Sequence, residues 1–173
     1  NLAEGVPDPN VYDFPNQLRD SMQRETELFF EHVLQQNRSV IDFINGKYTF
    51  VNQTLARHYG LSNIEPADEG DGFMQVSLEG VPRSGVLTHG SILTLTSNPN
   101  RTAPVMRGKW IMENILGVRP PDPPADVPEI AASKRALPNA SFREQLNLHR
   151  ENAVCASCHD QMDPLGFGFE NFD

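Results

Sequence analysis

Cysteine is scarce in this chain: two residues in 173, Cys155 and Cys158, both in one stretch near the C-terminus. That excludes a disulfide-stapled fold, because a bridge over so short a loop would constrain little. Long apolar runs are missing as well. No stretch approaches the roughly 20 apolar residues that a bilayer-crossing helix requires, so no membrane span is expected. Basic residues are outnumbered, 14 Lys and Arg against 23 Asp and Glu, for a formal net charge of -9. With no Lys/Arg cluster to displace counterions from phosphates, nucleic acid is excluded as a partner, and an anionic membrane surface is disfavoured on the same ground. A signal peptide is absent and Asn1 is an unusual natural start, so a processed or fragmentary chain is expected.

Apolar residues make up 38% of the sequence, enough for a packed interior of modest size. Residues 15–36 carry Leu18, Met22, Glu25, Phe29, His32 and Val33 near one stripe, widened by Leu28, Phe30 and Leu34, which is the spacing of an amphipathic helix. A short helix "VIDFIN" follows, ended by Gly46, and "YTFVNQTLARHYGL" reads as a helix from about Thr49 to Tyr59. Residues 61–72 form a polar loop, "FMQVSLEG" alternates as a short strand does, and "SGVLTHGSILTLTSNPNRT" leans to helix. Residues 103–116 read as a helix stopped by Gly117. "VRPPDPPADVP" must be extended, a semi-rigid Pro-rich connector. Ser141 with Glu144 makes a capping box that opens the helix "FREQLNLHRE". The expected fold is mainly α with a short β element, arranged as a helical module over residues 1–65 and a second module over 66–173, packed together.

Both cysteines belong to the pentapeptide Cys155-Ala-Ser-Cys158-His159. Cys-x-x-Cys-His is the attachment signal for c-type haem, in which two thiols add to the vinyl groups and the adjacent histidine becomes the proximal iron ligand. On a helical turn the two thiols face one side. A tetrahedral zinc site needs four ligands, and no second cysteine pair exists; a thioredoxin-like dithiol belongs in a strand-then-helix setting, whereas this pair follows a helix. After the motif come Met162, a turn at "DPLG", and Phe167, Phe169 and Phe172, apolar faces suited to shielding a porphyrin edge or simply to packing on neighbouring helices.

The segments "RSGVLTHGSILTLTSNPNRTAPVMRGKW" and "FREQLNLHRENAVCASCHDQMDPLGFGFENFD" resemble the planctomycete-type cytochrome c domains, modules of large secreted planctomycete and acidobacterial proteins. "RETELFFEHVLQQNRSVIDFINGKYTFVNQTLARHYGL" resembles the helical module that precedes them there. The resemblance implies an exported bacterial haem protein, periplasmic or extracellular, in which Cys155, Cys158 and His159 take the attachment and proximal roles. It implies no reaction, and in those proteins the chain continues past "ENFD".

Met162 lies one turn from His159, on the same side of a porphyrin, so a sixth iron ligand has to come from elsewhere. His89, set among apolar residues beside Gly90, is the first candidate and Met106 the second; an open or externally supplied position is the third. Arg101 and Arg107 flank the same segment and are candidate partners for haem propionates, with Phe167 against the ring. The leading reading is a single-haem c-type cytochrome module that passes electrons to a redox partner protein or to a further haem domain of its parent chain. Two others stay open: a haem oxidoreductase or peroxidase-like module with an open distal site, and a structural or interaction module stabilised by haem.

Overall fold

The structure, a computed structural model, describes Leu2 and residues 7–61, 72–120 and 139–172. These are mainly helical, with one two-stranded antiparallel sheet. Helix α1 spans Asn16–Gln35, α2 Asp42–Asn45 and α3 Gln53–His58, with strand β1, Tyr48–Val51, between the last two. Strand β2, Met74–Ser77, a 3₁₀ turn, Val86–Thr88, and helix α4, Gly90–Leu95, follow. Helix α5 is Pro104–Asn114, α6 Phe142–Arg150 and α7 Ala153–Phe167. Among the described residues no helix is long and apolar enough to cross a membrane.

Two compact units result, one from Asn1–Thr102 with Phe172, the other from Ala103–Asn171. The sequence reading divided the chain after residue 65; the compact units divide later, because β2 returns to pair with β1 and α4 packs on α1. Most of the polar loop over 61–72 and most of the Pro-rich connector lie outside the described residues.

In the first unit α1 buries Leu18, Ser21, Met22, Glu25, Phe29 and Val33, the stripe that its periodicity predicts except for His32. Phe30 and Leu34, which were expected to widen that stripe, are exposed. Leu18 and Met22 pack with Val51, Leu55 and Ala56, while Phe29 and Val33 pack with Val86. Residues 48–51, expected as the start of a helix, are instead a strand in register with β2, Thr49 opposite Val76 and Val51 opposite Met74. The reason is tertiary: alternation sends Thr49 and Val51 inward, and the ladder satisfies backbone groups that a helix would otherwise have to pair.

Asn52 then starts α3. Its side-chain oxygen accepts from the Leu55 N–H at 2.9 Å, and its amide donates to the Ser21 hydroxyl at 2.8 Å. Asn52→Ala removes a cap and an interhelical tie together, and is expected to destabilise the protein by about 1–2 kcal/mol. A midpoint in urea unchanged from the parent would refute this.

The second unit packs α5 along α7, with α6 against α7. Pro104 opens α5 at its first turn, where a missing N–H is harmless. The Ser141–Glu144 capping box starts α6 as expected. Residues 163–166, expected as a turn, are helical: α7 continues through Pro164 to Phe167. Proline removes one helical hydrogen bond, but Met162, Asp163 and Gly166 are buried on this stretch. Glycines make that burial possible, because the α7 backbone at Met162 lies against Gly108 and the α5 backbone at Pro104 lies against Gly166.

Candidate functional site

Asn152 caps α7, accepting from the Val154 N–H at 2.9 Å, so the helix is already formed where the cysteines begin. Cys155 and Cys158, three residues apart, therefore share a side of the helix. Neither is in a disulfide; Cys155 is buried and Cys158 half-buried. His159 follows, and its Nδ1 lies 3.0 Å from Oδ1 of Asp163, one turn further on. A carboxylate only accepts, so in this pair the N–H sits on Nδ1, and in a neutral ring that tautomer leaves the lone pair on Nε2.

Asp163 is 0% exposed. Its second oxygen, Oδ2, has no hydrogen-bond partner; Arg150 Nη1 stands 3.8 Å away, close enough for an ion pair but beyond hydrogen-bond reach. Arg150 is held in place by Asp160, whose Oδ1 accepts from Nη2 at 2.8 Å and from Nε at 3.1 Å. The His149 ring meets the His159 ring edge-on, centroids 5.1 Å apart. Partial burial, then the neighbouring His159, hold the His149 pKa below its ordinary value, with Asp163 pulling the other way.

Other residues singled out in the sequence lie on several elements. Phe167, half-buried, lies under the Arg143 guanidinium at 4.1 Å, and Arg143 also pairs with Glu170. Arg107 is buried on α5 in the second unit, 1% exposed, whereas Arg101 is an exposed residue of the first unit whose guanidinium faces the Thr102 carbonyl. These two arginines, each a candidate propionate partner, belong to different units. Met106 is half exposed on α5.

His89 departs furthest from expectation. It is 2% exposed inside the first unit, with Nδ1 3.0 Å from Thr26 Oγ1, Nε2 3.5 Å from Thr49 Oγ1 and 3.9 Å from Glu25 Oε1, and its ring edge on Phe29. Both ring nitrogens face partners of that unit, so His89 is a core residue there and not an open metal ligand. Burial, then the charge on Arg83, lower its pKa to about 3.

Glu25, which the sequence reading treated only as part of a helical stripe, is the centre of this cluster. Its Oε1 accepts from Thr49 and its Oε2 from Tyr59, each at 2.6 Å, and the Tyr59 hydroxyl accepts in turn from the Gly90 N–H. Burial raises the Glu25 pKa to about 7 against the lowering effect of those hydrogen bonds. A carboxyl group on an otherwise apolar stripe was the available signal.

Among the described residues no three His, Cys, Asp or Glu side chains assemble as a metal-ion cluster. What α7 presents is two thiols, a group able to add to an alkene, and one imidazole whose Nδ1 faces a buried carboxylate.

In class, then, this is a mainly helical protein that carries a thiol-thiol-imidazole site on one helix. The PSCyt3 family model, described as a protein of unknown function (DUF1588), matches residues 83–173, and the PSD4 model, described as a protein of unknown function (DUF1592), matches residues 1–61. The first match covers more than half of the sequence, and the chain belongs to the PSCyt3 family, whose name marks a cytochrome-like module. No curated protein and no solved structure matches the chain. The PSCyt3 segment contributes α4 to the first unit and α5 to α7 to the second, so family match and compact unit do not coincide.

Proposed function

We propose that this chain is a c-type cytochrome module of an exported bacterial protein, periplasmic or extracellular, holding one haem through Cys155 and Cys158 with His159 as axial ligand. The observation that carries the reading is the His159–Asp163 pair directly behind two cysteines, neither of them in a disulfide, on a single helix. The donor set fits the group: metal-binding histidines commonly give their second ring N–H to a carboxylate, which fixes the tautomer and leaves the other nitrogen for the metal. Asp163 Oδ2, buried and without a hydrogen bond, marks a place where the protein tolerates an oxygen that lacks one, as functional sites do.

When bound, haem supplies a one-electron ferric/ferrous couple. The protein's part is to anchor the group by two thioether links, to orient the imidazole through Asp163, and to set the local charge. The electron's partner is a redox protein or a further haem domain of the parent chain.

The test is expression of the chain with the c-type maturation machinery, followed by haem staining after denaturation. One covalently retained haem is expected in the parent, and Cys158→Ser should reduce attachment at least tenfold. In the reduced and oxidised absorption spectra, a low-spin haem indifferent to carbon monoxide supports electron transfer; a high-spin haem that binds carbon monoxide would replace that reading with an open distal site. A parent protein with no covalent haem would end the proposal.

A further inference from the structure

Asp163 is more than a helix-stabilising neighbour of His159. An i,i+4 His/Asp pair on a solvated helix face contributes little and asks for no burial. Here the carboxylate is fully buried, one oxygen bonded to the imidazole and the other without a hydrogen bond. Leaving a buried carboxylate oxygen without a hydrogen bond is unfavourable, and a solvated side chain would avoid it. What the arrangement achieves is concentrated negative charge, in a poorly screened place, next to one imidazole nitrogen. Arg150, 3.8 Å from Oδ2 and tied to Asp160, is placed to offset part of that charge without bonding to it.

We propose that Asp163 is a positioning residue that sets the redox potential of the site: by accepting the Nδ1 proton of His159 it makes the imidazole a more basic ligand and favours the oxidised metal, with Arg150 as the opposing charge. The proposal rests on the cytochrome reading above. Its physical basis is that hydrogen bonding from a ligating histidine to a carboxylate raises ligand basicity, and that greater negative charge near a metal stabilises its higher oxidation state.

The test uses the full chain carrying its haem. Asp163→Asn keeps the shape but supplies a weaker acceptor, and should raise the midpoint potential by about 59 mV or more, equivalent to a tenfold shift in a one-electron equilibrium. Asp163→Glu, if its carboxylate reaches Nδ1, should return the potential toward the parent value. Arg150→Gln should move it the opposite way, downward, because the carboxylate loses its counter-charge; this variant keeps the proposal testable where Asp163→Asn fails to fold. The hyperfine-shifted Nδ1 proton of His159 in the ferric protein should exchange with solvent faster in Asp163→Asn than in the parent. Potentials unmoved in both Asp163→Asn and Arg150→Gln, with haem normally attached, would overturn this proposal alone. A parent with no covalent haem would overturn the cytochrome reading, and this proposal with it.

Discussion

Gly166→Ala is expected to destabilise the second unit by about 3 kcal/mol or more, at or above the upper end of what overpacking a core usually does. The added Cβ would overlap the carbonyl oxygen of Pro104 and crowd the Gly108 backbone N–H at 3.1 Å. Those are main-chain atoms of the facing helix, which cannot swing aside as a side chain can, so α5 and α7 would have to separate. Gly108→Ala meets the same obstacle from the other side, at the Met162 carbonyl. Gly168→Ala is the control. Its backbone is helical, φ -58°, and a Cβ there would sit 3.5 Å from the carbonyl oxygens of Leu165 and Pro164, an ordinary contact. That substitution should be neutral, or stabilising by about 0.5 kcal/mol through the unfolded state. Thermal unfolding followed by circular dichroism separates the three. If Gly166→Ala melts with the parent, the close crossing of α5 and α7 is refuted.

The buried Glu25/His89 pair is expected to produce a stability profile that is flat between about pH 4.5 and 6.5 and falls on either side. Glu25 is raised from its ordinary 4.5 to about 7, so its contribution is fully present below 4.5 and is lost as pH rises through 7. His89 is lowered from 6.5 to about 3, so its contribution is present above 6.5 and is lost as pH falls toward 3. Between the two ordinary values the opposite trends cancel. There the unfolded chain holds one proton on the pair, on His89, and the folded pair also holds one, on Glu25, so folding neither takes up nor releases a proton. Below pH 4.5 the unfolded chain gains a second proton that the folded pair refuses until about pH 3, which amounts to a loss of about 2 kcal/mol. On the alkaline side, from 6.5 to 7, the loss is under about 1 kcal/mol.

Glu25→Gln isolates the pair from other carboxylates. With no proton to hold on the glutamine, His89 alone remains, and the plateau should tilt so that stability falls steadily as pH drops below 6.5. Urea midpoints across this range, parent minus variant, give the comparison. That difference isolates Glu25 and should fall as pH rises from 4.5 to 7; a difference that stays flat across this range would show that Glu25 does not titrate as described.

Much of the local structure was legible. The apolar stripe of α1, the Ser141–Glu144 box and the strand at 74–77 are written in short-range spacing, and the structure reproduces them. Residues 48–51 were misread because "YTFVNQTLARHYGL" suits a helix by itself, and only a partner strand some 25 residues later selects the extended form. His89 was misread for a similar reason. A histidine between apolar residues looks like a ligand until Glu25, Thr26 and Thr49, from two other elements, are seen around its ring. Asp163 carried a usable signal, the i,i+4 spacing from His159, but Pro164 made a turn the simpler reading of that stretch. Proline forbids one hydrogen bond; it does not forbid a helix whose face is buried against another.

By itself the sequence determined the helical character of the chain, its acidic balance, the absence of a membrane-length apolar run and the placement of two thiols and an imidazole on one helical turn. Each of these depends on composition or on residues within one or two turns of one another. The tertiary structure alone decided that His89 closes a polar core with Glu25, that glycines let α5 and α7 touch backbone to backbone, and that a buried carboxylate stands behind His159. Those outcomes depend on which surfaces meet, and the burial that sets their energies does not exist until the elements have packed.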